Sequence, residues 1–131
     1  MTVASANATE VRVRSGPLVG AVLGRVVGML AARAQCPIDR LDDALLLTDA
    51  VAAHAPAHTR ESHVHVTVAA GEEGLELRVG RLRPDGARAL LRDAELPGVG
   101  NVFERVADEV RAGASPSGDG DELVLRLRFA T

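Results

Sequence analysis

Three segments of this chain alternate strictly, and that alternation narrows its folding options most. Val64, Val66 and Val68 share one side of His63–Ala70. Leu75, Leu77 and Val79 share one side of Leu75–Val79, and Leu123, Leu125, Leu127 and Phe129 share one side of Glu122–Phe129. Successive strand side chains point to opposite faces, so each segment buries one face and wets the other. The wet face is expected to carry Arg78, Arg126 and Arg128. Gly71-Glu72-Glu73-Gly74 separates the first two segments and predicts a β-hairpin with a four-residue loop. Such strands need an apolar cover from elsewhere in the chain.

Two helical stretches can supply it. Ser15-Gly16-Pro17 is a helix start with Ser15 as its cap, and the helix is predicted over Pro17–Ala34. Gly16, Gly20, Gly24 and Gly28 recur every four residues, a ridge that lets a neighbouring element approach closely. The glycines inside the helix cost about 1 kcal/mol each relative to Ala, so this helix depends on tertiary packing. Cys36-Pro37 breaks it. Asp39 then caps a second helix over Arg40–His54, with Leu41, Leu45, Thr48 and Ala52 on one stripe and Leu46 and Leu47 broadening it. Pro56 ends it.

The remaining elements are shorter. Glu10–Arg14 alternates as a brief strand, and Pro84-Asp85-Gly86 opens a helical piece over Ala87–Arg92. Asn101 caps a third long helix over Val102–Arg111, with Val102, Val106 and Val110 on one face. Ala112–Asp121, rich in Gly, Ser and Asp, reads as a loop. Residues 1–9 read as a disordered N-terminus and 10–131 as one domain. The order β-α-α-β-β-(α)-α-β predicts an α+β fold, a two-layer sandwich of a mixed, mainly antiparallel sheet with helices on one face.

Composition removes several chemistries. All fifteen basic residues are Arg, which excludes a Schiff-base or phosphate-loop lysine. The Arg, Ala, Gly and Val excess also fits a GC-rich genome. Net charge −3, no Trp or Tyr and only Phe103 and Phe129 argue against a nucleic-acid platform. One cysteine, Cys36, excludes an intrachain disulfide and a Cys-built zinc site, and suits a cytoplasmic home. Pro17–Ala34 is short for a membrane span and holds Arg25 and Arg33, so no membrane association is expected.

The charged and histidine-rich segments offer fewer sites. His54, His58, His63 and His65 cluster along the sequence and read either as solvated side chains or as a metal-binding group, although Pro56 breaks the helical spacing of the first pair. Arg78, Arg81, Arg83, Arg88 and Arg92 form a basic segment, and an acidic one runs from Asp93 to Glu122. Each reads as a solvated face or as a surface that steers a charged protein partner. Asp49, on a leucine-rich helix, is the single residue that most suggests function.

Two local patterns bring in a family. Ile38-Asp39-Arg40-Leu41-Asp42-Asp43-Ala44-Leu45-Leu46-Leu47-Thr48-Asp49-Ala50-Val51-Ala52-Ala53-His54-Ala55 resembles the nucleotide-box helix of the GHKL ATPase and kinase superfamily. Gly98-Val99-Gly100-Asn101-Val102-Phe103-Glu104-Arg105-Val106-Ala107-Asp108-Glu109-Val110 resembles its second glycine box and the helix that follows. The likeness spans Val11 to Phe129 and is greatest to the small anti-sigma factor serine kinases of Gram-positive bacteria. It implies a histidine-kinase-like ATPase fold, ATP held beside the nucleotide-box helix, and a homodimer.

The resemblance also sets expectations for individual positions. A carboxylate base falls at Asp49, and the Mg²⁺-holding Asn of the family falls at Ala53, whose methyl cannot coordinate a cation. Asp85-Gly86 stands where a remnant of the adenine-reading box would lie, with Arg81 nearer the family's Asp position. Gly98 and Gly100 match the phosphate-approaching glycines, and Ala87–Pro97 leaves a short lid. These departures predict an anti-sigma-factor-like regulator that binds a sigma factor or an anti-sigma antagonist protein, with ATP binding lost or weakened. No cofactor is expected, ATP with Mg²⁺ being the one the resemblance leaves open. The alternatives are an active ATP-dependent serine kinase of the anti-sigma type and a His-cluster metal-binding protein.

Overall fold

Alternation does build the sheet. In a computed structural model, which describes residues 7–130, β2 (His63–Ala70) and β3 (Gly74–Leu82) form the expected hairpin, closed by a 3.0 Å bond from Gly71 N–H to Gly74 O. β1 (Asn7–Arg14) pairs with β2, and β7 (Asp121–Arg128) pairs with β3. The full order is β1-β2-β3-β7-β6, the last being Glu109–Ala114, with every neighbouring pair antiparallel, so the fold is α+β and the sheet is antiparallel throughout rather than mixed. Asn7–Thr9 belong to β1, not to a disordered tail; the rest of that predicted tail lies outside the described residues.

The fifth strand replaces a predicted helix. α4 covers only Val102–Val106, after which Ala107 turns extended and β6 runs over Glu109–Ala114. The valines at 102, 106 and 110 do have helical spacing, but strand contacts outcompete it. Asp108 N–H donates to Arg126 O at 2.9 Å, and the Asp108 carboxylate accepts from Arg128 N–H at 2.6 Å. Val110 and Ala112 then stand opposite Leu125 and Leu123, where a strand packs them half-buried against the core.

α1 (Leu18–Arg33) and α2 (Ile38–His54) cover the apolar face together with α3 (Gly86–Asp93). Leu23, Leu30, Leu47 and Leu90 meet Val66, Leu77, Leu125 and Leu127 in one core, which also takes Phe103. The caps differ from expectation. Pro17 and Pro37 occupy the N-cap positions, so Ser15 does not cap α1, and Asp39 lies in the first turn of α2. Asn101 does cap α4. Only Gly20 of the glycine ridge serves close packing, since a Cβ there would lie 3.4 Å from Ala52 Cβ while Gly24 and Gly28 have nothing within 4 Å. Among the described residues no helix is long and apolar enough to cross a membrane.

Candidate functional site

The residues singled out by sequence fall on the helix side of the molecule. Asp49 and Ala53 are both exposed on α2, and α2 packs against α4. Asp85 is exposed, with a left-handed φ of 61°, and stands 3.7 Å from Arg92. Gly86 serves packing: a Cβ there would lie 3.2 Å from both His58 O and Leu82 Cβ. Gly98 and Gly100 take φ of +76° and +99° in the tight turn joining β4 (Glu95–Leu96) to β5 (Gly100–Asn101), conformations that favour glycine. The turn is closed by Val99 N–H to Leu96 O at 3.0 Å, and the Arg105 guanidinium donates to Val99 O. Asn101 Oδ1 accepts from Phe103 N–H at 3.0 Å and Glu104 N–H at 3.4 Å, which occupies the first amides of α4. None of Asp49, Ala53, Asp85, Gly86, Gly98, Gly100 and Asn101 lines the cleft on the open face of the sheet.

The histidines disperse. His58 Nε2 meets Asp93 Oδ2 at 2.5 Å, and His63 Nδ1 meets Ser62 Oγ at 3.3 Å. Among the described residues no three His, Cys, Asp or Glu side chains come together in a way that could hold a metal ion. Cys36 is free and half-buried, and burial pushes its thiol pKa up, away from the reactive thiolate.

The basic and acidic segments do not stay apart. On the open face of the sheet, β3 and β7 bring them into a lattice. Arg78 holds Glu122 at 2.7 Å and Glu76 at 3.2 Å, and Arg126 holds Glu76 at 2.8 Å and also binds Glu109. Burial alone would lower the Arg78 pKa, but its bonds and attraction to Glu122 and Glu76 win and raise it. The hydrogen bonds that Arg126 donates to Glu76 and Glu109 likewise raise its own pKa, and the bond accepted from Arg126 lowers that of Glu109. A second knot ties α2 to this end of the sheet: Arg40 donates to Arg128 O at 2.9 Å, Asp43 at 2.7 Å and Asp108 at 2.6 Å.

The lattice stops at one place. Beside Arg78 lies a cleft of about 260 Å³ whose lining includes Glu10, His65, Thr67, Gly80, Arg81 and Asp119. His65 is only 8% exposed, and neither ring nitrogen has a hydrogen-bond partner. Its pKa is lowered, first by burial and then by the Arg81 charge, so the neutral imidazole is favoured. Sequence reasoning placed His65 on the outward side of its strand but could not see this cleft, because its walls come from β1, β2, β3, β7 and the 115–119 loop.

Neither the protein-family models nor the curated proteins contain a match to the chain.

Proposed function

We propose that the chain is a regulatory binding module of the anti-sigma type. In this reading it keeps a histidine-kinase-like ATPase fold with ATP binding lost or weakened. It acts in the cytoplasm, as a homodimer, on a sigma factor or an anti-sigma antagonist protein.

The observation that carries the reading is the outward stripe of α2. Ile38, Asp42, Leu46, Asp49 and Ala53 follow at three- and four-residue steps, and all are exposed, Ile38 by 79% and Leu46 by 50%. One exposed aliphatic residue is ordinary. Two on a single stripe, interleaved with carboxylates, suit an apolar groove with a cationic rim on a protein partner. The same stripe weakens the case for catalysis. Phosphoryl transfer depends on metal-assisted charge stabilisation, and Ala53 offers a methyl one turn after Asp49. The element order follows the expected one through α3, after which β4, β5, a short helix and β6 stand in place of the expected loop and long final helix.

The test is retention of the host's sigma factors and antagonist domains by the tagged chain. At least one partner is expected to bind at micromolar concentration and to lose about tenfold or more in affinity with Leu46→Arg, as a truncated interface anchor does. No retained partner, or binding indifferent to Leu46, overturns the reading. Calorimetry with Mg-ATP separates it from a working kinase: a heat of binding abolished by Asp49→Asn would favour the kinase.

A further inference from the structure

We propose that the cleft over Gly80, on the open face of the sheet, binds a small zwitterionic ligand of free amino-acid size. The open face has a gap at Gly80. In the neighbouring rows the strands meet through side chains, Thr67 beside Arg78 beside Val124, and Ala69 beside Glu76 beside Arg126. In the row of Arg12 and His65 the next position is Gly80, where a Cβ would meet nothing within 4 Å. Glycine inside a central strand weakens it and often marks a place where a ligand approaches the backbone.

The strand is also irregular beside this gap. Pairing between β3 and β7 shifts register between Val79 and Leu82, and Arg81 there has a left-handed φ of 52°. Regular alternation would send Arg81 to the apolar face beside Val79. The bulge turns it onto the open face, where it lines the cleft. Bulges commonly re-aim a side chain at a functional site, and a non-glycine residue at positive φ needs such a reason.

The polar groups are then out of balance in a specific way. His65 is a buried imidazole with one donor and one acceptor unfilled, which native structures rarely leave so. Arg78 is committed to Glu122 and Glu76, whereas Arg81 holds only Glu61, at 3.5 Å. Across the cleft, Glu10 has no cationic partner among the described residues, and Asp119 accepts only from Ser117, at 3.2 Å. An anion such as phosphate would face these carboxylates, and a simple cation would face the guanidinium. A carboxylate for Arg81 joined to an ammonium for Glu10 and Asp119 satisfies both, with His65 bonding between them. The volume of about 260 Å³ lies at the small end of ligand pockets and suits a small molecule.

The test uses the full chain and each of the twenty free L-α-amino acids at neutral pH, read by melting temperature and by the His65 imidazole resonances. At least one is expected to raise the melting temperature and shift His65. Its N-acetyl and carboxamide derivatives, each lacking one charge, are expected to bind at least tenfold more weakly. Gly80→Val fills the cleft in a strand conformation that valine favours, and should abolish binding with the fold intact. Should that variant fail to fold, Asp119→Asn and Arg81→Ala each lose at least tenfold. The proposal is overturned if no amino acid moves His65, if Gly80→Val binds as tightly as the parent chain, or if phosphate or Zn²⁺ shifts His65 in preference.

Discussion

The two faces of the sheet come from the same strands yet are held in different ways. The inner face is a run of Val64, Val66, Val68, Leu75, Leu77, Val79, Leu123, Leu125 and Leu127, all buried under helices. Burial is non-directional, so these residues needed only the right period and size. The outer face is held by directional bonds between residues far apart in sequence: Arg78 with Glu122, 44 positions on, and Glu76 with Arg126, 50 positions on. The inner face could be read from periodicity, whereas the outer one depends on β7 lying beside β3. A face built from bonds also shows where a bond is missing, and that place is His65.

The largest expected effect is on the inner face. Leu125→Ala removes a fully buried side chain beneath the helices and should destabilise the chain by about 2–5 kcal/mol in urea unfolding. On the outer face, Arg78→Ala leaves Glu122, whose side chain is 6% exposed, with only the more distant Arg111 at 3.7 Å. The cost should be about 1–3 kcal/mol, that of an unsatisfied buried group. An outer-face loss equal to the inner-face one would show that the lattice is part of the core.

The smallest effect is on the pH dependence of stability. His65 carries a lowered pKa in the folded chain, from burial and from Arg81 and Arg12 against the opposing charges of Glu61 and Glu10. The unfolded chain therefore binds the proton more readily, and stability should be complete above the unfolded histidine value of about 6.5 and fall as pH drops below it. His65→Gln should flatten that part of the stability profile. A slope unchanged in the variant would assign the pH dependence to another group.

Much of the fold was legible because its signals are local. The β2–β3 hairpin, β7 and α2 follow from period and turn residues, and Asn101 caps as its side chain suggests. β6 was not legible. Val106 and Val110 mimic a helix, and Ala112, Gly113 and Ala114 look like loop, until Asp108 and Glu109 find Arg128 and Arg126. The ion pair of Arg78 with Glu122 was hidden for the same reason, since it exists only once β7 lies beside β3. Of the site, Asp49 could be placed outward on a helix from spacing alone. The cleft over Gly80 could not, because a bulge turns Arg81 outward and five separate parts of the chain wall the space.

In the proposed reading the two sides serve two partners, a protein on the α2 stripe and a small molecule over Gly80. The direct measurement is the affinity of the retained sigma factor or antagonist domain for the parent chain, Leu46→Arg and Gly80→Val, by calorimetry without added amino acid. At least a tenfold loss is expected for Leu46→Arg and an unchanged affinity for Gly80→Val. A loss with Gly80→Val and none with Leu46→Arg would contradict it.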